Sequence, residues 1–301
     1  MSASVNTHLH PRDALIEFEA GPHKYTCAGE ANYTSVTTWN HSHFKPFDAD
    51  AIITKMMANK RTWPNSPYYC KTREEIKAGW DKNRDEAAQL GTEMHYAIEC
   101  YYRGETPLTP HLGGDEGESV GKDKEGESVG KDKEGKDVCK EGLGEDDVGA
   151  TANAVVSPHF RAFLADHPNL IPYRTEWMIF DEDVRLAGSI DMVYAGDNEN
   201  EVMIYDWKRC KEIKKTNGFG EFALTDCIAH LPDTNFWHYA LQLNTYKAIL
   251  EAKYNKKVTR MCLVCLHPNL PSYQLLVVPN LTKELADLFA LRKEQLVASG
   301  L

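Results

Sequence analysis

Three apolar segments follow one another between residues 173 and 208, with room for only short turns between them. Their lengths and their β-branched and aromatic content are typical of strands. They predict β-strands at 173–180, 185–194 and 201–208. Because neighbouring strands share a sheet whose apolar face must be covered, this block constrains the fold more than any other feature.

The segments on either side supply helices to cover that sheet. A hairpin is expected at 15–29, around Gly21-Pro22, and further strands at 258–266 and 272–278. Helices are expected at 47–60, 71–103 (one long helix or two joined ones), 153–166, 236–254 and 282–298. This order predicts an α/β fold, in which helices flank a central mixed β-sheet and the N-terminal region is helical.

A tandem repeat interrupts the pattern, because EGESVGKDK occurs at 116–124 and again at 125–133. Such a sequence has almost nothing to bury, which predicts a disordered insertion over 105–150. An acidic interaction tether or a DNA mimic is the functional alternative. We expect one composite domain, formed by an N-terminal region (1–104) and a core (151–301) on either side of the insertion.

The net charge of −11 disfavours nucleic acid as a partner at first sight. However, residues 113–149 hold 13 acidic residues and 6 lysines, so much of the negative charge lies in one segment. A local basic groove elsewhere is therefore not excluded.

Composition also indicates a cellular location. No segment approaches the ~20 apolar residues of a membrane span, and the N-terminus lacks the apolar region of a signal peptide. The eight cysteines show no disulfide spacing, so we expect a reducing compartment, cytoplasm or nucleus. The Cys262-x-x-Cys265 pair lies in an apolar strand and is expected in the core, with no iron–sulfur cluster.

The segment VMIYDWKR ends in two charged residues, Asp206 and Lys208, which share one face of the predicted strand. A salt bridge at a solvated strand end would explain them. Alternatively, Asp191 on the preceding strand, embedded among Ile190 and Met192, converges with Asp206. Two converging carboxylates repel each other unless a cation lies between them, and oxygen ligands suit Mg²⁺ or Mn²⁺.

Further polar residues occur on neighbouring elements: His95 after Gly91 on a helix, Glu176 on the first strand, and Gln242 and Tyr246 on one helix face. Each has an ordinary explanation as a surface or core residue. Their order (GxxxH, Glu, GxxD from Gly188, DxK, QxxxY) resembles the PD-(D/E)xK nuclease superfamily. Within it, the chain resembles the RecB-like and CRISPR-associated exonuclease branch and its stand-alone members, including viral ones.

The resemblance implies a restriction-endonuclease-like core and a set of roles. His95, Asp191, Asp206 and the backbone carbonyl of Trp207 would hold Mg²⁺ or Mn²⁺, with Glu176 as a secondary candidate. Lys208 would position or deprotonate the attacking water, Gln242 would hold the water and lysine network, and Tyr246 would contact a phosphate. The implied activity is DNA exonuclease or end-processing cleavage that leaves 5′-phosphates, in repair, recombination or replication. An endonuclease and a non-cleaving nucleic-acid-binding protein are the alternatives.

The expected partner is DNA with a free end or a single-stranded segment. Aromatic residues beside cations suit stacking on single-stranded bases, whereas ordinary surface loops are the alternative explanation. The candidates are Lys55, Lys60, Arg61, Trp63, Tyr68 and Tyr69, and, after the DxK strand, Arg209, Lys211, Lys214 and Lys215.

Overall fold

The computed structural model of the protein describes residues 8–105, 156–218 and 220–300. The predicted disordered insertion lies outside the described residues, apart from Glu105 at its boundary. The fold is α/β, as predicted, with helices on both faces of a mixed sheet. The strands are Ile16–Glu19 (β1), Lys24–Cys27 (β2), Thr34–Ser35 (β3), Pro172–Asp181 (β4), Leu186–Ala195 (β5), Glu201–Lys208 (β6), Lys257–Cys265 (β7) and Gln274–Val277 (β8). The helices are Val36–His41 (α1), Ala49–Ala58 (α2), Arg73–Arg103 (α3), Pro158–Asp166 (α4), Asn235–Lys253 (α5) and Thr282–Ala298 (α6).

The sheet runs β4-β5-β6-β7-β8, and β3 lies parallel beside the start of β5. The β6–β7 pair is parallel, whereas β4–β5, β5–β6 and β7–β8 are antiparallel. Residues Met192 to Ala195 of β5 pair with Tyr205 to Val202 of β6. β6 pairs with β7 along its whole length, whereas its pairing with β5 stops at Tyr205, so β5 and β6 diverge at Asp191 and Asp206.

Apolar clusters cover the two faces of the sheet. On one face, α1, α5 and α6 contribute to a core that includes Trp39, Leu241 and Leu288. On the other face, the end of α3 and helix α4 pack on Trp207 through Phe160 and other apolar side chains. Side chains that point toward these faces are withdrawn from water, so polar residues at the divergence of β5 and β6 lie in a largely apolar surrounding.

Helix α3 is a single helix of 31 residues. It begins with a capping box between Thr72 and Glu75 and ends at Gly104, whose φ of 70° suits the left-handed C-cap position. Its first turns pack on α2, where Ile53 and Ile76 are buried. Residues 81–90 are exposed, and the last turns pack on the sheet. The C-terminal end of α3 therefore belongs to the core, and its N-terminal end packs on α2 instead.

Two details differ from the sequence-based expectation. The sequence pattern does not predict strand β3 or helix α1, because a strand of two residues and a helix of six are too short to show a periodicity. Helix α4 begins at Pro158 rather than at 153, since Ser157 accepts the N–H of Phe160 as N-cap. Residues 153–155 lie outside the described ranges. Within those ranges, none of the helices combines the length and apolar character needed to cross a membrane.

Candidate functional site

The divergence of β5 and β6 is bridged by a side chain. Oδ2 of Asp191 accepts the backbone N–H of Trp207 at 2.9 Å, where a regular sheet would have a strand-to-strand hydrogen bond. The carboxylate thereby faces the gap between the strands. Three sets of polar groups meet at this gap: those of β4 and β5, those at the end of β6, and His95 of α3.

His95, Glu176 and Asp191 form a cluster with metal-binding potential, since their ligand atoms lie within 4.8 Å of one another. Nδ1 of His95 lies 3.6 Å from Oδ2 of Asp191 and 3.9 Å from Oε1 of Glu176. Nε2–H of the same ring faces the carbonyl oxygen of Trp207 at 2.9 Å. A histidine that binds a metal through one nitrogen commonly donates the other N–H to a carbonyl, so this contact suits Nδ1 as the ligand atom.

Glu176 is held in an unusual backbone conformation. It lies between the pairs Thr175–Met192 and Trp177–Ile190 and therefore stands opposite Asp191. Its φ of 48° falls in the left-handed region, which costs a non-glycine residue of order 1–3 kcal/mol. Its Oε2 also accepts the hydroxyl hydrogen bond of Ser189 at 3.0 Å. Strain of this kind concentrates at functional sites.

Asp206 and Lys208 share one face of β6, and Nζ of Lys208 lies 2.7 Å from Oδ2 of Asp206. The side chain of Asp206 is 2% exposed and that of Lys208 is 17% exposed. The ring of Tyr239 on α5 lies 4.6 Å from Nζ of Lys208. The ion pair expected from the sequence is present, but it is buried beside the cluster of His95, Glu176 and Asp191 rather than solvated at a strand end.

Burial and mutual repulsion perturb the pKa values of this site. Burial and the charge of Asp191 raise the pKa of Asp206 to about 6, against the opposing effect of Lys208. Burial also raises the pKa of Asp191. Burial alone would lower the pKa of His95, but Asp191 and Glu176 outweigh it and raise that pKa to about 9. Burial opposes the charge of Lys208 as well, yet Asp206 and Asp191 raise its pKa, so the amine stays protonated.

Gln242 and Tyr246 lie one turn apart on α5, and Nε2 of Gln242 donates to the hydroxyl of Tyr246 at 3.1 Å. Tyr246 is 3% exposed and packs on β5 at Gly188. A Cβ at Gly188 would lie 2.8 Å from Cε1 of Tyr246, so that position has no room for a side chain. By contrast, nothing lies within 4 Å of a Cβ at Gly91, and the structure gives no steric reason for that glycine.

The structure adds residues that the sequence did not suggest. Asp233 lies just before α5, and His238 lies in the first turns of that helix. Nε2 of His238 is 2.8 Å from Oδ1 of Asp233. The ring of His41, in the last turn of α1, lies 5.3 Å from the His238 ring. The spacing of these residues in the sequence carries no motif, because their contact depends on how α1 and α5 pack.

The predicted nucleic-acid-binding residues fall in two places. Trp63, Tyr68 and Tyr69 lie between α2 and α3, where the rings of Trp63 and Tyr69 are 6.1 Å apart and those of Tyr68 and Trp80 are 5.8 Å apart. Trp80 and His95 are fifteen positions apart on α3, about 22 Å along the axis, so this aromatic group is not adjacent to the carboxylates.

The basic side chains of this first group, Lys55, Lys60 and Arg61, belong to α2 and the turns that follow it. The second group follows β6: Arg209, Lys211, Lys214 and Lys215. Of these, Lys214 lies 3.1 Å from Glu212, and Nζ of Lys215 lies 4.7 Å from the ring centre of Phe236.

The cysteine pair lies where the sequence placed it, because Cys262 and Cys265 are both fully buried in β7. Sγ of Cys265 lies 3.5 Å from Sγ of Cys210, which follows β6. In the described ranges, these cysteines carry free thiols.

Comparison with known proteins identifies a family whose sequence model matches this chain. A sequence model of the PD-(D/E)XK nuclease superfamily matches residues 67–297. No curated protein matches the chain significantly. Among solved structures, the crystal structure of SSO0001 is similar over 50% of this chain and 63% of that one, at 14% sequence identity and a TM-score of 0.25. The match thus spans less than two thirds of that protein's length.

Proposed function

This chain belongs to the PD-(D/E)XK nuclease superfamily, and we propose that it is a divalent-metal-dependent DNA nuclease that acts at ends or single-stranded segments. One observation carries the proposal: His95, Glu176 and Asp191 converge at the gap between β5 and β6, beside the buried Asp206–Lys208 pair. A metal-binding cluster next to a buried lysine is an arrangement suited to phosphodiester hydrolysis.

The side chains present fit a hard divalent cation. Carboxylate oxygens and an imidazole nitrogen are the donors that Mg²⁺ and Mn²⁺ accept. The raised pKa values of Asp191 and Asp206 reflect carboxylates that burial and mutual repulsion destabilise, and a cation would relieve both effects. We assign His95, Glu176 and Asp191 as the primary ligands. Asp206 joins them if its contact with Lys208 loosens, and the Trp207 carbonyl orients His95.

When bound, the cation supplies a nucleophilic water at neutral pH and neutralises charge on the phosphate. Lys208 has a different part in this scheme. Since Nζ of Lys208 lies 2.7 Å from Oδ2 of Asp206 at the edge of the cluster, we assign it to stabilising negative charge on the reacting phosphate rather than to removing a proton. The Tyr239 ring beside Nζ restricts where the ammonium group can lie.

Gln242 and Tyr246 complete the site from the α5 side. The Tyr246 hydroxyl already accepts a hydrogen bond from Gln242, so its own O–H remains available to donate to a phosphate oxygen. Gln242 would hold the water and lysine network, as the family resemblance implies. Their support is rigid, because Tyr246 packs directly on Gly188.

The finer assignment to DNA ends draws on the aromatic group between α2 and α3. Rings that are partly exposed beside basic residues suit the stacking of unpaired bases. Tyr69 is 50% exposed, and Lys71 lies 5.9 Å from the ring centre of Tyr68. We therefore propose exonuclease or end-processing cleavage that leaves 5′-phosphates, in DNA repair, recombination or replication.

The test compares end-labelled linear DNA, single- and double-stranded, with closed circular DNA, in Mg²⁺, in Mn²⁺ and in EDTA. The proposal predicts cation-dependent cleavage of linear DNA and intact circles. Cutting of closed circles would instead identify an endonuclease. Cation-dependent binding of DNA with no cleavage of any form would identify a binding protein and overturn the proposal.

A further inference from the structure

A pair of histidines lies beside the proposed catalytic residues but outside the metal-binding cluster. His41 ends α1, His238 lies in the first turns of α5, and their ring centres are 5.3 Å apart. His41 is exposed and the side chain of His238 is 21% exposed. Both imidazoles can therefore be reached from solvent.

The position of His238 on α5 relates it to the reacting groups. His238, Gln242 and Tyr246 are spaced four residues apart, which places them along one face of the helix. The next residue, Tyr239, contacts Lys208, with Nζ 4.6 Å from its ring centre. His238 thus lies one helical turn, about 6 Å, beyond Gln242 along the same face.

The charge around the two rings favours an anion. Packing of the His41 ring against its neighbours partly shields it from water and lowers its pKa, and His238 and Lys208 lower this pKa further, while Asp233 opposes them. Basic side chains of α1, β6 and α5 are therefore close enough for their charges to interact. Among the described residues, Asp233 is the carboxylate in direct contact with His238. A negatively charged group bound between these side chains would favour the protonated imidazoles, in which both ring nitrogens carry an N–H that can donate a hydrogen bond.

The His238 ring is fixed before any ligand arrives. Nε2 contacts Asp233 at 2.8 Å, and the ring packs on buried Phe44 with centres 4.0 Å apart. Asp233 is held in turn, since its N–H donates to the carbonyl of Glu221 at 2.9 Å and its carbonyl accepts from Nδ2 of Asn217 at 3.0 Å. A side chain fixed in this way loses little conformational entropy on binding.

We propose that His41 and His238 bind a backbone phosphate of the nucleic acid, next to the phosphodiester that is cleaved. This subsite rests on the proposed nuclease function. Its distance from Gln242, one helical turn, is of the order of the spacing between successive phosphates of a strand. Its ligand chemistry is that of a phosphodiester anion, which accepts hydrogen bonds from imidazole N–H groups. Since Nε2 of His238 faces Asp233, Nδ1 is the nitrogen left to donate to the phosphate. The subsite would fix the register of the strand and would not take part in bond cleavage.

The test uses an oligonucleotide that the wild-type protein cleaves at one position, and a matched set in which one phosphate at a time is a neutral methylphosphonate. Proteins are the wild type, His41→Ala, His238→Ala, His238→Gln and the control His230→Ala. The side chain of His230 is 58% exposed and contacts Glu284 of α6. Circular dichroism and thermal unfolding verify that each variant folds.

We expect His41→Ala and His238→Ala to raise KM for the unmodified oligonucleotide by about 5- to 30-fold, since each loses a charge-assisted hydrogen bond. Fluorescence anisotropy in EDTA should show the same loss of affinity without cleavage. His238→Gln should restore part of it, and His230→Ala should match the wild type.

The methylphosphonate series decides the position. A methylphosphonate at the phosphate next to the cleaved one should weaken oligonucleotide binding by the wild type and should not weaken binding by His238→Ala any further. If the substitution weakens both proteins equally at every position, or if folded His238→Ala binds as the wild type does, the subsite is wrong. Failure of the wild type to cleave any oligonucleotide would instead contradict the proposed nuclease function, while the anisotropy comparison still tests the histidines.

Discussion

Asp191 joins two strands that have separated: its Oδ2 accepts the backbone N–H of Trp207 at 2.9 Å, beyond the last β5–β6 pair. The same oxygen lies 3.6 Å from Nδ1 of His95. One carboxylate therefore fixes the end of β6, which carries Asp206 and Lys208, relative to the helix that carries His95. The geometry of the proposed metal site and of the proposed catalytic lysine depends on this contact.

The Asp206–Lys208 pair gives a prediction about stability. Lys208→Met leaves a buried carboxylate without its partner, which should lower the free energy of unfolding by about 3 kcal/mol. The double variant Asp206→Asn/Lys208→Met buries neither charge and should recover most of that loss. Urea denaturation at neutral pH without divalent cations measures both. Equal stability of the single and double variants would show that the pair is not coupled.

The contact between Gly188 and Tyr246 gives a second prediction. Gly188→Ala places a Cβ 2.8 Å from Cε1 of Tyr246 and 3.3 Å from Cβ of Val36, so the buried ring must move. We expect a loss of about 1–3 kcal/mol of stability, typical of overpacking, together with lower cleavage activity. Gly91→Ala is the matched control, because its Cβ would meet no atom within 4 Å. Equal effects of the two changes would contradict the proposed contact.

His43 predicts how stability depends on pH. Burial lowers its pKa to about 4, from 6.5 in an exposed histidine, so the unfolded chain binds a proton that the folded chain does not. Its contribution to stability is complete above pH 6.5 and is lost as the pH falls toward 4. This loss amounts to about 3 kcal/mol. Denaturation of wild type and His43→Gln at several pH values measures it, and the variant should lack this part of the acid sensitivity. Parallel curves would show that His43 titrates normally.

The aromatic group between α2 and α3 predicts single-strand binding. Trp63→Ala and Tyr69→Ala should each weaken the affinity for single-stranded DNA by about 1–3 kcal/mol, since each removes a stacking surface. Fluorescence anisotropy with single- and double-stranded oligonucleotides provides the measurement. Phe222→Ala removes a comparable ring that is 46% exposed elsewhere and should bind normally. A loss with Phe222→Ala as large as with Tyr69→Ala would argue against a specific platform.

Much of the sheet could be predicted from the sequence. The three central strands and the closing helix have strong apolar patterns, and the structure gives Glu201–Lys208 and Thr282–Ala298 with the predicted bounds. The shared face of Asp206 and Lys208 follows from strand alternation, and that of Gln242 and Tyr246 from helical spacing. These features depend on local periodicity, which one sequence displays.

The remaining features of the site depend on tertiary packing. The family resemblance implies Glu176 only as a secondary candidate, whereas in the structure its Oε1 lies 3.9 Å from Nδ1 of His95 and its φ is positive, neither of which local periodicity shows. The contact of His41 with His238 joins two helices that are far apart in the chain, so no spacing of residues in the sequence predicts it. The apolar pattern of the sequence does not predict that β5 and β6 diverge either, since both strands remain apolar up to the point where they separate.

The most direct test of the metal-dependent nuclease is Asp191→Asn, which keeps an oxygen acceptor for the N–H of Trp207 while removing the charge that faces His95. Mn²⁺ binding, by calorimetry, and cleavage of labelled linear DNA are measured for this variant, for the wild type and for Asp197→Asn on the exposed β5–β6 turn. The proposed metal site predicts that Asp191→Asn stays folded, binds Mn²⁺ more weakly and cleaves about 10²–10³-fold more slowly, as expected when charge stabilisation is removed, whereas Asp197→Asn behaves as the wild type does. Wild-type Mn²⁺ affinity and cleavage in Asp191→Asn would contradict it.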